Sequence, residues 1–266
     1  MRFERIWLAG CGNMAGAMLE GWLRAGVKPG RFLAIRPSGA PLAGGVRVAT
    51  VPPAVDGAPD LLLLGFKPHQ LREAAPAYRA HAGPGTIVVS ILAGVEIARL
   101  RAAFPDAGAI VRAMPSLPVR LGRGVTGLVA EHGGRPEEVT ALMAALGLTE
   151  WVETEAALDA VSALAGSGPA FVYRFVDALA AGGEALGLPA DQAARLAVAT
   201  VEGAGALAVG SDLPPAALAD RVASRGGSTR RGLDVLDGDD ALRELVRHTL
   251  EAARARVAEM AAEARG

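Results

Sequence analysis

Between Ile6 and Ala25 the chain reads IWLAGCGNMAGAMLEGWLRA, and no other stretch restricts the fold as much. Ile6–Ala9 is a short apolar run of the kind that forms a strand buried on both faces. Gly10-Cys11-Gly12 interrupts it. Met14, Met18, Leu19, Trp22 and Leu23 then recur at helical spacing, and Gly26 supplies a stop. Strand, glycine turn and helix therefore follow one another, with G-x-G-x-x-A at Gly10, Gly12 and Ala15. Gly10 permits the tight turn, Gly12 lets a pyrophosphate approach the backbone, and Ala15 lets the helix pack closely on the strand. Free N–H groups at the helix start face the phosphates. The spacing predicts dinucleotide binding, with an ordinary tight strand–helix turn as the alternative.

The 266 residues suffice for two medium domains, and a 51% hydrophobic fraction against 21% charged supports a large core. A net charge of −1 argues against nucleic acid or an anionic membrane as partner. Cys11 is the single cysteine, so no intrachain disulfide forms and a reducing, cytoplasmic setting is expected. Within the turn it reads as a small filler. Gly10, Gly12 and Asn13 break the first apolar run too early for a signal peptide. No apolar segment reaches the ~20 residues of a membrane span.

Further strands are expected at Arg31–Ile35, Val46–Ala49, Leu61–Leu64, Thr86–Val89, Ala109–Ala113, Gly122–Ala130 and Thr149–Val152. Helical stretches alternate with them, Pro136–Leu146 among these, which predicts a parallel sheet with right-handed crossovers. Arg36 and Ser38 stand where an acidic residue would bind the ribose hydroxyls of NAD. A cation and a hydroxyl suit a 2′-phosphate, which favours NADP and leaves NAD open. Leu61–Leu64 ends in Gly65-Phe66-Lys67-Pro68, and such strand ends line the cofactor crevice of open α/β sheets. Lys67 there is either a cofactor contact or a surface lysine ahead of a proline-started helix.

Beyond Glu153 no strand is expected. Ala156–Leu164 is helical, and Ser167 is a candidate cap for a long helix with Pro169 in its first turn and Phe171, Phe175 and Leu179 on one face. Leu196–Val209 is apolar nearly all round, too much for a domain of about 110 residues to bury and too short to cross a bilayer. Burial against a second copy of the chain is the expected resolution, with Gly203, Ala204 and Gly205 allowing close approach, and a monomer whose N-terminal domain covers the face is the alternative. Ser211 or Asp212 is a candidate cap for a short helix from Pro214. The loop Val222–Leu233 carries three glycines, three hydroxyls and several arginines, a composition that suits a small anion. An amphipathic helix, Asp240 to Arg265, closes the chain.

Three of these segments, taken together, resemble the pyrroline-5-carboxylate reductase family. Ala163-Leu164-Ala165-Gly166-Ser167-Gly168-Pro169-Ala170-Phe171 is similar to its S-G-S-G-P-A-[YF] segment. Met114-Pro115-Ser116-Leu117-Pro118, followed by Gly122 and Gly124, resembles M-P-N-T-P…G-x-G. Val222–Leu233 resembles V-[TS]-S-P-G-G-[TA]-T…G-L. The N-terminal G-x-G-x-M and Lys67-Pro68 also fit, so the likeness spans nearly the whole chain. Two departures matter: Arg225 stands where the family has a proline, and Ser116 where it has an asparagine.

The resemblance implies a Rossmann-type doubly wound sheet (residues 1–153) followed by an all-α dimerisation and substrate domain (154–266). It implies reduction of 1-pyrroline-5-carboxylate to L-proline with NADPH or NADH, in a homodimer or higher homo-oligomer. The implied cofactor contacts are Ala9, Gly10, Cys11, Gly12, Asn13, Met14, Arg36, Ser38, Gly65, Phe66, Lys67, Pro68, Ile91, Leu92 and Ala93. The implied substrate contacts are Gly166, Ser167, Gly168, Asp212, Gly226, Gly227, Ser228 and Thr229, with the Thr229 hydroxyl on the ring nitrogen and the loop N–H groups on the carboxylate. For Asp212 a helix cap stands beside that role. His69, His81, His132 and His248 are scattered, and no metal site is expected. Arg225 and Ser116 leave open another cyclic imine, and a nucleotide-binding relative without turnover is a third reading.

Overall fold

The computed structural model describes residues 3–54 and 57–265, which form two compact units: residues up to 169 together with those from 253 on, and residues 170–252. In the first, β1 (Ile6–Ala9) leads through the glycine turn into α1 (Asn13–Arg24), as the motif predicts. With β2 (Phe32–Ile35), β3 (Arg47–Ala49), β4 (Leu61–Leu64), β5 (Ile87–Ser90), β6 (Ala109–Pro115), β7 (Gly124–Ala130) and β8 (Gly147–Trp151), it builds one eight-stranded sheet. The order is β3-β2-β1-β4-β5-β6-β7-β8. Besides α1, the helices α2 (Leu71–Arg79), α3 (Ile97–Ala103), α4 (Glu137–Ala144) and α5 (Glu155–Val161) belong to this unit.

β1, β2 and β4 are apolar at every position because both of their faces are covered. Ile6, Leu8, Leu61 and Leu63 share one core with Met18 and Trp22, while Trp7, Leu62 and Leu64 share the other with Leu71 and Leu100. Each such leucine is worth about 1.5–3 kcal/mol against exposure. Trp22 stacks on Phe32 at 5.6 Å, and its indole N–H donates to the Leu142 carbonyl at 2.9 Å, which ties α1 to α4.

The sheet is not parallel throughout. β6 and β7 run antiparallel, Val111 opposite Ala130 and Pro115 opposite Thr126. Only residues 116–123 join them, largely as a 3₁₀ turn at Leu117–Leu121, and a parallel crossover needs a dozen residues or more. Ser116 closes this link from both sides: its N–H donates to the Val125 carbonyl and its hydroxyl accepts the Val125 N–H, each at 2.9 Å. β8 is again parallel to β7, with α4 between them.

After α5 a π-helical turn, Ser162–Gly166, carries the chain into α6 (Gly168–Ala185), followed by α7 (Ala190–Val209), α8 (Pro215–Val222), α9 (Ser228–Asp237) and α10 (Ala241–Arg265). The expected cap at Ser167 is not formed. Its backbone is helical (φ −85°, ψ −22°), whereas a capping hydroxyl works from an extended residue. Neither Ser211 nor Asp212 caps α8, whose N-cap is Pro214. The Ser211 hydroxyl instead accepts the Leu213 N–H at 3.1 Å. The expected all-round burial of Leu196–Val209 is absent within one chain. Along α7 only Ala193 and Ala197 are buried, and Leu207 and Val209 are 73% and 91% exposed. Phe175 and Leu179 of α6 are exposed as well. Apolar surface on two neighbouring helices is what an interface between copies presents.

Candidate active site

The expected cofactor residues gather at the carboxyl ends of β1, β2, β4 and β5, four adjacent strands. Strand order reverses between β1 and β4, which places the crevice at the topological switch point of the sheet. The Gly10 N–H donates to the Ile35 carbonyl at 2.9 Å and the Gly65 N–H to Ala9 at 2.8 Å, which fastens three strand ends together. Gly10 sits at φ +82°, and a Cβ there would lie 2.8 Å from the Phe66 nitrogen. Gly12, by contrast, faces open space. It precedes α1 with no side-chain cap and no acid in the first turn, so the first N–H groups, from Asn13 and Met14 on, are left for an anion. These residues fit a dinucleotide pyrophosphate.

Arg36, half-buried, leaves the end of β2, and Ser38 is exposed in the turn closed by the Gly39 N–H on the Arg36 carbonyl at 3.0 Å. Burial pushes the Cys11 thiol above its ordinary pKa, and the charge of Arg36 draws it part of the way back, so Arg36 acts electrostatically on the glycine turn. Phe66 and Pro68 are half-buried and Lys67 is exposed beyond β4. After β5, Ile91 and Ala93 flank the buried Leu92, whose N–H donates to the Ser90 hydroxyl at 3.2 Å. A cavity of about 100 Å³ lined by Arg5, Trp7, Arg31, Phe32 and Arg47 lies at the opposite, amino ends of β1–β3 and takes no part in this crevice.

Of the expected substrate residues, Gly166, Ser167 and Gly168 belong to the same unit. The Ser167 N–H donates to the Ser162 carbonyl at 3.0 Å, a five-residue step that opens the helix at this point. Asp212 and Gly226–Thr229 belong to the second unit. There the Gly227 N–H closes a turn on the Ser224 carbonyl at 3.0 Å, with Gly226 at φ +74° in the third position. Arg225 holds the second position, where proline presets the backbone. The expected loop is shorter than its sequence suggests, because α9 begins at Ser228. Gly227 leaves that helix without a side-chain cap, and no acid stands in its first turn. Ser228 and Thr229 are therefore exposed first-turn residues with N–H groups free of intrahelical partners. Asp212 is exposed ahead of α8.

Sequence reasoning passed over Arg112, buried within β6 with Glu155 Oε1 2.6 Å from its Nη1. A lone arginine inside an apolar strand, with two acids four residues apart on the next helix but one, was the available signal.

Residues 5–94 match the family model described as NADP oxidoreductase, coenzyme F420-dependent, and residues 155–260 match pyrroline-5-carboxylate reductase dimerisation. The pyrroline-5-carboxylate reductase of Pseudomonas aeruginosa is 33% identical over 98% of both chains. The chain belongs to the pyrroline-5-carboxylate reductase family. The second such reductase of Bacillus subtilis is 31% identical over 97% of this chain and 95% of its own. Among solved structures, the family member from Coxiella burnetii superposes with a TM-score of 0.87 at 30% identity, covering 96% of this chain and 98% of that one. A Plasmodium falciparum pyrroline carboxylate reductase solved with NADP bound shares the fold, with a TM-score of 0.82 at 23% identity, covering 97% and 98%. The reductase resemblance drawn from the three motifs is borne out, and so is the pairing of a Rossmann-type sheet with a helical dimerisation domain.

Proposed function

We infer that this chain reduces 1-pyrroline-5-carboxylate to L-proline by hydride transfer to the cyclic imine, the closing step of proline synthesis, in the cytoplasm and as a homodimer or a larger assembly of such dimers. The observation that carries this reading is full-length kinship at 33% identity, joined to a switch-point crevice whose helix start is uncapped and free of acid. Residues 1–153 form the cofactor domain in this reading and 154–266 the substrate and dimerisation domain.

A bound nicotinamide supplies the hydride. Around it, the N–H groups of Gly12, Asn13 and Met14 take the pyrophosphate, with Ala9, Gly10 and Cys11 shaping the turn. Arg36 and Ser38 take the 2′-phosphate, which favours NADPH over NADH. Gly65–Pro68 and Ile91–Ala93 line the nicotinamide side of the crevice. The N–H groups of Gly226, Gly227, Ser228 and Thr229 grip the ring carboxylate, Gly166–Gly168 border the ring, and Asp212 lies on its amine side. The Thr229 hydroxyl orients the ring nitrogen by a hydrogen bond. That nitrogen draws its proton from water, so the protein's task is to position two reactants.

Thr229→Ala tests this assignment. Loss of one oriented hydrogen bond lowers kcat/KM for pyrroline-5-carboxylate about tenfold or more, with NADPH affinity unchanged. Unchanged turnover would remove Thr229 from the site.

A further inference from the structure

Arg112 is the one charged side chain buried below a tenth exposure among the described residues, at 3%. It stands in the middle of β6, opposite Ser90 of β5 and Val129 of β7. Its Nη1 donates to Glu155 Oε1 at 2.6 Å, and its Nη2 lies 3.6 Å from Asp159 Oδ1. The same Glu155 oxygen also accepts the Ile97 N–H at 2.9 Å. One carboxylate on α5 thus joins the central sheet to the first residue of α3.

The position of this junction matters because of what lies on either side. α3 follows the turn that holds Ile91, Leu92 and Ala93. α5 runs without a break into the π turn Ser162–Gly166, and so to Gly168. Elsewhere α5 rests on the sheet through apolar contacts: a Cβ at Gly127 would lie 2.7 Å from Val161 Cγ1 and 3.0 Å from Leu158 Cδ1. Apolar contact is non-directional and tolerates sliding. A charge-assisted hydrogen bond of 2.6 Å does not, since it fixes both distance and direction, and the Asp159 carboxylate at 3.6 Å adds a second attraction on the same guanidinium. A buried ion pair is a poor source of stability compared with apolar packing, and its best-attested use is to set register.

We propose that Arg112, Glu155 and Asp159 form a positioning clamp. It fixes the 91–93 turn and the 162–168 turn in one register, so that hydride transfer depends on three residues outside both binding sets. This rests on the function inferred above. Hydride transfer needs reacting atoms within about 3–3.5 Å, and a displacement of about 1 Å costs on the order of a hundredfold in rate.

The test compares Glu155→Ala with Glu155→Gln, which keeps an acceptor for both Ile97 and Arg112. With Glu155→Ala, kcat is expected to fall about tenfold or more, while KM for pyrroline-5-carboxylate and the dissociation constant for NADPH stay within about threefold. With Glu155→Gln, kcat returns to within about threefold of the parent. A kcat within twofold of the parent in folded Glu155→Ala, or NADPH affinity lost in step with kcat, overturns the clamp. Should Glu155→Ala fail to fold, Asp159→Ala, at the longer arm, is expected to lower kcat about threefold at constant KM, and an unchanged kcat overturns the proposal. A parent protein that leaves pyrroline-5-carboxylate unreduced refutes the functional reading instead. The clamp is then read from amide exchange at 162–168: about tenfold faster in Glu155→Ala than in Glu155→Gln supports it, and equal rates overturn it.

Discussion

Arg225 stands in a turn whose second position needs a backbone that proline holds in advance. With Arg225 in that position the Gly227 N–H still bonds the Ser224 carbonyl at 3.0 Å and Gly226 takes φ +74°, so the turn forms without proline. What an arginine adds is freedom in the unfolded chain. Arg225→Pro should therefore raise stability by about 0.4–1 kcal/mol, read as a higher midpoint in urea at unchanged slope. A lower midpoint would show that the turn in solution differs from the one described. Ser116, a second departure from the family motif, is likewise accounted for locally. Its hydroxyl and N–H both serve Val125 and close the link from β6 to β7. Both departures were visible as residue types in the sequence. Their structural roles were not, because each depends on a partner defined only once the chain has folded.

At the scale of elements, the end of β7 is fastened to α3 by Arg101 and Glu131. The guanidinium pairs with Glu131 at 2.6 Å and also donates to the Ala107 carbonyl at 2.7 Å, so one side chain secures the helix, the strand end and the loop before β6. The hydrogen bond from Arg101 holds the Glu131 carboxyl below the ordinary carboxylate range, against the opposing effect of burial. The folded state then binds this proton less tightly than the unfolded chain does. Its contribution is complete above the unfolded carboxylate pKa and disappears as pH falls through the lower folded value. Glu131→Gln should cost about 1–2 kcal/mol at neutral pH and nothing once both forms are protonated, measured by denaturation across an acid series. A pH-independent difference would contradict the pairing.

Element types were legible for a plain reason. β1, β2 and β4 are apolar at every position, a pattern that only a doubly covered strand needs, and the glycine turn dictates a helix after β1. The antiparallel β6–β7 pair was legible but missed: the expected strand ends at Ala113 and Gly122 leave only eight residues between them, too few for a parallel crossover. The Ser167 cap failed because Ser167 follows directly on the π turn and keeps helical dihedrals, whereas the glycine–serine composition resembles a stop.

For the whole molecule, the apolar stretch 196–209 is informative in a way a single chain cannot display. Val198, Leu207 and Val209 are exposed, and the segment lies inside the region matching the family's dimerisation model. Sedimentation at micromolar concentration should give at least twice 27.1 kDa, and Leu207→Glu should shift the protein toward a single chain with loss of turnover. A parent protein sedimenting as one chain would contradict the assembly.

The central claim is that a hydride passes from the nicotinamide to the imine carbon of a five-membered ring whose carboxylate this protein holds. Incubation with pyrroline-5-carboxylate and NADPH carrying deuterium at the transferred position of C4 tests it directly. The account predicts proline with one deuterium on the ring carbon bonded to nitrogen and remote from the carboxylate. Oxidised cofactor without proline, or proline free of label, would contradict it.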